Sequence, residues 1–321
     1  MRITVLSGGI GGSRFIGGVL KAVTDADVTV VANTADDIWL FGLRVSPDLD
    51  TVMYTLSGGI DTDRGWGRTD ETWNAKDELA AYGVEEAWFG LGDRDLATHL
   101  VRTEILRKDG TLSKATAKLC ERWQPPVRLL PMSDDEVETH IVTEIDGHSR
   151  TIHFQEFWIR YRAQVPVRDV QIRGIESARP APGVVEAITG ADVVVLPPSN
   201  PIVSVGPIVA VGGIGDALRS TSAPVVGVSP VIGGAAVRGM ADELLAGLGL
   251  ENSAAAVGLH HGARSRGGVL DGWLVDTTDA DDVARLEAGG IAARAVPLWM
   301  SDDATTSQLA ADALELAESL R

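Results

Sequence analysis

Short apolar runs broken by turn residues recur along the chain. Ile3-Thr4-Val5-Leu6 leads into Gly8-Gly9-Ile10-Gly11-Gly12, after which Phe15, Ile16, Val19 and Leu20 follow at helical spacing. That order predicts a strand, a glycine turn and a helix. Val28-Thr29-Val30-Val31-Ala32, Val193-Val194-Val195-Leu196 and Val225-Val226-Gly227-Val228 are further strands, each ending in polar or proline-rich loops. Runs this apolar suit a parallel sheet covered on both faces. The alternation predicts a Rossmann-like, doubly wound α/β fold with a mainly parallel sheet.

The middle of the chain differs. From about residue 71 to 123 the period is helical, with Leu96, Leu100 and Thr103 on one face and Ala115, Leu119 and Trp123 on another. From about 137 to 175 the pattern is β-ribbon: Ile141 to Ile145, the turn Asp146-Gly147, then Thr151 to Phe154, the signature of a hairpin. The expected organisation is one catalytic domain over 1–321, with a core of about 1–70 and 176–321 and an insertion or cap of about 71–175. A last helix, near 306–320, carries Leu309, Ala313, Leu316 and Leu320 as one stripe.

Charge narrows the function. With 28 basic and 45 acidic residues, a formal net charge of −17 argues against a nucleic-acid footprint, which needs a basic face. The single Cys120 excludes an internal disulfide and fits a reducing compartment, so the expected location is cytoplasmic. The N-terminal apolar run is too short for a signal peptide, and no stretch reads as membrane-spanning.

In an open α/β sheet, ligands bind beyond the carboxyl ends of the strands. The glycine loop after the first strand can approach a phosphate, because no Cβ blocks it and a helix N-terminus follows; equally, it could be a tight turn that packs helix on strand. Arg14 stands where a dinucleotide fingerprint has its third glycine, and Asn33 replaces a lone ribose-binding acid, which disfavours a nicotinamide-dependent oxidoreductase. Asn33-Thr34-Ala35-Asp36-Asp37 and Ser46-Pro47-Asp48-Leu49-Asp50 put four carboxylates on the binding edge. They would suit Mg²⁺, or Ser46 or Asp48 would cap a helix. Ser199 and Asn200 offer groups that read a base or sugar. Trp66 and Trp88 could line a slot for a planar ligand. The adjacent His260 and His261 diverge on any regular element and lack ligand spacing, and Cys120 reads as a packed thiol.

Taken in order, Ser7-Gly8-Gly9-Ile10-Gly11-Gly12, Asn33 to Asp37, Ser46 to Val52, Leu91-Gly92-Asp93-Arg94-Asp95, Leu130 to Asp135, His153-Phe154-Gln155-Glu156-Phe157-Trp158 and Pro198-Ser199-Asn200-Pro201 resemble the 2-phospho-L-lactate transferase family. The resemblance spans nearly the whole chain and runs to the actinobacterial branch, the phosphoenolpyruvate transferases. It implies transfer of a phosphoenolpyruvyl or 2-phospholactyl group from a guanosine diphosphate conjugate to the ribityl hydroxyl of the deazaflavin Fo. Dehydro-F-420-0 or F-420-0 is formed and GMP is released, with Mg²⁺ as cofactor, in a homodimer. It implies Asp37 and Asp50 as metal ligands and catalytic residues, and an Fo pocket of Asp50, Trp66, Trp88, Phe89, Leu91, Asp93 and Arg94. The nucleotide side would be Gly8, Gly9, Gly11, Gly12, Asn33, Ser199, Asn200 and Ser229. Carboxylates are weak bases near neutral pH, so orienting the attacking hydroxyl is the expected part of Asp50. A related family, the gluconeogenesis factors, shares the core and the Asp-Asp turn. It supplies the alternative of a non-catalytic nucleotide-sugar-binding regulator, against which the Gly-Asp-Arg-Asp and Phe-Gln-Glu-Phe-Trp segments speak.

Overall fold

The computed structural model describes residues 1–237 and 240–321. Its centre is a seven-stranded sheet in which every pairing is parallel. The strands are β1 (Arg2–Ser7), β2 (Asp27–Ala32), β3 (Arg128–Pro131), β4 (Val193–Leu196), β5 (Val225–Val228), β6 (Gly272–Val275) and β7 (Ala292–Ala295), in the order β3-β2-β1-β4-β5-β6-β7. The chain winds outward from β1 to β3, returns to the middle at β4 and winds out the other way. This is the doubly wound arrangement, and its switch point lies between β1 and β4.

Alternation along each strand fills two cores. Ile3, Val5, Val30, Val195, Val228 and Leu274 point to one face, against Phe15, Val19, Leu309 and Ala313. Leu6, Val31, Val194, Val225, Trp273 and Val275 point to the other. Helices α1 (Ile10–Ala22), α2 (Pro47–Leu56), α3 (Asp93–Arg107), α4 (Leu112–Trp123) and α5 (Asp303–Ser319) are the ones that frame the site and the first core. A reciprocal capping box starts α5, with the Asp302 carboxylate accepting from Thr305 N at 2.8 Å. The stripe Leu309, Ala313 and Leu316 is buried as its spacing requires.

The expected ribbon is present as three antiparallel strands, Glu138–Ile145, His148–His153 and Asp169–Arg173. Asp146 and Gly147 turn it with φ of 52° and 76°, the two left-handed residues of a tight hairpin. Two expectations need correction. The stretch 71–175 is not a continuous insertion, because β3 lies inside it and pairs with β2. On the expected inner face of helix α3, Thr103 is buried and Leu96 half-buried against Phe89 and Leu91, but Leu100 is 56% exposed, and Thr98, His99 and Arg102 are buried in its place. Charge pairing on the inner face outweighs the apolar pattern, as the site explains. No single helix among the described residues is long and apolar enough to cross a membrane.

Candidate active site

The glycine loop and the loop after β4 meet at the switch point. Gly8 N donates to Ser199 Oγ at 3.4 Å. A Cβ on Gly11 would stand 2.5 Å from Pro198 O, one on Gly9 2.5 Å from Asp48 Oδ1 and one on Gly8 2.6 Å from Ser204 Oγ; at Gly12 it would run into Ser7 Oγ. These glycines therefore let α1 close onto the β4 loop and α2, as the packing reading of the loop requires. Asn200 Oδ1 accepts from Ile202 N at 2.9 Å and Val203 N at 3.1 Å, which fixes the turn Pro201–Val205.

Two residues expected on the nucleotide side point elsewhere. Asn33 is fully buried, and its amide nitrogen lies 3.0–3.2 Å from Asp48 Oδ2, Asp36 Oδ1 and Val203 O. Ser229 is buried at the end of β5 and donates to Val231 O at 2.8 Å. Neither side chain presents a free polar group to a cleft; both hold loops.

The four acids divide by partner. Asp36 accepts from Asn33 and, at 3.0 Å, from Gln155 Nε2. Asp48 takes Asn33 and the Gly9 N–H. Asp37 accepts from Ser46 Oγ at 2.6 Å and faces Arg44 Nε at 3.5 Å. Asp50 is bound through Oδ1 by Arg102 and has His99 Nδ1 3.7 Å from Oδ2. Ser46 sits at the start of α2 but spends its hydroxyl on Asp37, and no side chain caps that helix; the capping alternative fails. Burial pushes the Asp37 carboxyl up to about 6, against the pull of Arg44, and the Asp48 carboxyl up to about 7. Asp36 rises well above the usual range through burial and the charges of Asp48 and Asp37.

Asp37 Oδ1 and Asp50 Oδ2 are buried without any hydrogen-bond partner. Unpaired buried carboxylate oxygens are costly, and they suit a hard divalent cation. Mg²⁺ takes one or two carboxylates and completes its shell with water and phosphate oxygens. Among the described residues no group of three or more His, Cys, Asp and Glu side chains could hold a metal by itself, so any cation here would need ligand oxygens from elsewhere.

The ribbon supports this edge from behind. His153 Nε2 lies 3.2 Å from Asp37 O, and Gln155 holds Asp36. Burial lowers the His153 imidazole to about 4, which leaves it neutral.

The expected deazaflavin residues scatter more. Phe89 and Leu91 are buried with Ile38, Leu40 and Val45, and Trp88 packs against Phe89 at 5.8 Å between centroids. With Phe41, Leu79 and Leu96, Phe89 and Leu91 border a shallow depression with no room for even a water molecule. Asp93 caps a neighbouring helix: its carboxylate accepts from Thr72 Oγ1 at 2.6 Å, Asn74 Nδ2 at 2.7 Å and Ala75 N at 2.9 Å. Those bonds hold its carboxyl down at about 2. Asp93 thus ties the start of α3 to the segment at 72–75. Arg94 is exposed, 3.7 Å from Asp70. Trp66 is 45% exposed and meets Trp73 edge-on at 6.4 Å, with the Arg64 guanidinium 5.4 Å and 5.0 Å from the two rings.

Sequence reasoning missed Arg44, His99, Arg102, Asp95 and Tyr54. A signal existed in the spacing of Asp95, His99 and Arg102, which places all three on one side of α3. The Cys120 thiol is partly buried against the first core, with burial raising it to about 11.

A doubly wound parallel sheet with buried carboxylates beyond the carboxyl end of β2 and at the start of α2 defines an open α/β protein whose candidate site lies on the carboxyl edge of the sheet. The family described as 2-phospho-L-lactate transferase CofD matches residues 3–306, and the chain belongs to that family of transferases. It is 60% identical to a phosphoenolpyruvate transferase of Streptomyces griseus over 321 residues, 100% of both chains. It is 56% identical to one of Nocardia farcinica, over 98% of this chain and 95% of the other. A protein of the UPF0052 family from Bacillus halodurans superposes with a TM-score of 0.62 at 19% identity, over 97% of this chain and 99% of that one. That likeness shows the fold alone.

Proposed function

We propose that this chain is the phosphoenolpyruvate transferase of coenzyme F-420 biosynthesis. It moves a phosphoenolpyruvyl group from an enolpyruvyl diphosphoguanosine to the ribityl hydroxyl of Fo. A bond forms between the hydroxyl oxygen and the β-phosphorus, the bond from that phosphorus to the bridging oxygen breaks, GMP leaves and the hydroxyl proton is lost. The observation that carries this reading is the pair of buried, unpartnered oxygens, Asp37 Oδ1 beyond the carboxyl end of β2 and Asp50 Oδ2 in the first turn of α2. The full-length identity to phosphoenolpyruvate transferases supports the enolpyruvyl donor over the lactyl one.

In this reading Asp37 and Asp50 hold Mg²⁺, which when bound offsets charge on the diphosphate. The rest is positioning, the main demand of phosphoryl transfer. The loop Gly8 to Gly12 with Ser199 and Asn200 seats the guanosine diphosphate, using backbone N–H groups at the start of α1. Asp50 orients the acceptor hydroxyl. The Trp88–Phe89 segment borders the deazaflavin, and Trp66 supplies an exposed face beside it. The reading includes a homodimer, which sedimentation velocity checks.

Absorbance and fluorescence titration with Fo, with Mg²⁺ and GDP present or absent, is the direct test, followed by turnover with the enolpyruvyl donor. Saturable binding and formation of dehydro-F-420-0 are expected. Asp50→Ala should lose roughly 10²–10³-fold in turnover, the scale of one lost electrostatic stabiliser, and should also lower the melting temperature by several degrees, because it strands the buried Arg102 guanidinium. Folded protein that binds no Fo under any condition would move the assignment to a nucleotide-sugar-binding regulator.

A further inference from the structure

Helix α3 carries a buried polar chain that ends on the reactive edge. Tyr54 OH lies 2.6 Å from Asp95 Oδ1. Asp95 Oδ2 faces His99 Nε2 at 3.4 Å, a charge-to-ring contact that closes no hydrogen bond. His99 Nδ1 stands 3.1 Å from Arg102 Nη1, and Arg102 Nη2 binds Asp50 Oδ1. A guanidinium only donates, so Nδ1 is the acceptor and the His99 hydrogen sits on Nε2, toward Asp95. Arg102 is 1% exposed, and to bury this face the helix turns Leu100 and Val101 outward. Such a breach of the local hydrophobic rule is most at home at a functional site.

The chain has two effects on Asp50. Free to rotate, a carboxylate offers either oxygen; the Arg102 contact removes that freedom and leaves Oδ2 unpartnered. It also sets a positive charge against Asp50, as Arg44 does against Asp37. Two carboxylates balanced by two guanidinium groups attract a cation weakly until a diphosphate adds negative charge and ligand oxygens.

Resting on the metal reading above, we propose that Arg102 is a positioning residue. It pins one oxygen of Asp50, presents the other, and makes cation binding by the Asp37–Asp50 pair depend on a bound diphosphate. His99 positions Arg102 in turn.

Calorimetric titration of Mn²⁺ into the full chain, with and without GDP, tests this independently of turnover. Wild type should bind Mn²⁺ at least tenfold more tightly with GDP than without. Arg102→Gln removes the charge, so Mn²⁺ binding without GDP should tighten at least fivefold while kcat falls at least tenfold. Arg102→Lys restores the charge but not the two-point grip; Mn²⁺ affinity should return to the wild-type value while kcat stays low. A purely structural arginine would not separate these two quantities. Because Arg102 is buried, melting temperatures accompany each variant, and a second pair covers a failure to fold. His99→Leu deprives Arg102 of its acceptor and should lower kcat several-fold, whereas His99→Gln offers a carbonyl oxygen and should recover it. Folded Arg102→Gln protein with wild-type Mn²⁺ affinity and kcat would overturn the proposal, as would two His99 variants that behave alike. Wild-type Mn²⁺ binding that survives both Asp37→Asn and Asp50→Asn would instead defeat the metal site, and the role of Arg102 with it.

Discussion

Asp48 shows how a residue can look catalytic and serve another purpose. It lies beside the reactive edge, yet its oxygens are taken by Asn33 and the Gly9 N–H, so it ties α2 to the start of α1. Burial, reinforced by the Asp37 charge, lifts its carboxyl to about 7 from 3.8. Between about pH 4 and 7 the folded state therefore keeps a proton that the unfolded chain releases, and this contribution to stability drains away as pH rises through that window. Asn cannot ionise, and like the protonated carboxyl it offers one carbonyl oxygen to these donors. Without Mg²⁺, Asp48→Asn should match wild type near pH 4 and melt about 2–4 °C higher at pH 8. Melting curves across that range check it; a difference that shrinks with rising pH would contradict the sign.

At the scale of elements, α3 joins two demands that pull apart. Its inner face carries the Asp95–His99–Arg102 chain, so its leucine at 100 has no core to enter. Leu100→Glu is accordingly expected to change stability by no more than about 0.5 kcal/mol, as exposed positions do, which chemical denaturation would show. A loss of several kcal/mol would mean that this face is covered. The same helix marks the limit of what the sequence reveals. Strands β1, β2, β4 and β5, the helix α1 and the ribbon hairpin were legible because their period and turn residues agree with burial on a two-sided sheet. The buried side of α3 was not, because apolar periodicity is blind to charges that satisfy one another. Strand β3 escaped notice for a different reason: four residues ending in Pro131, set between helices and ribbon, leave little pattern to read. At the candidate site, the burial of Asp37 and Asp50 close to one another agrees with their selection from the loops that follow a strand. That the polar atoms of Asn33, Ser229 and Asp93 bond within the protein was not legible, since only geometry reveals such partners.

Across the whole molecule, the chemistry and the stability separate along the sheet. The carboxyl ends of β1 and β2 and the loop after β4 carry the acids and glycines. Farther along, α1 and α5 cover one face and close against each other where side chains are smallest. A Cβ on Gly18 would stand 2.5 Å from Thr306 O and 2.9 Å from Thr306 Cγ2. Backbone lies on the far side of that contact, so a larger residue must push α5 away from the sheet. Overpacking of this kind typically costs about 1–3 kcal/mol. Gly18→Val should therefore lower the melting temperature by several degrees. Gly18 lies within α1 and not at its start, so the glycine loop and the Asp37–Asp50 edge have no reason to move, and Fo and GDP affinities should stay within about twofold of wild type. Measuring both on one preparation decides the matter. If affinity falls with stability, α1 transmits strain from its packing against α5 to the switch point, and the two regions form one mechanical unit.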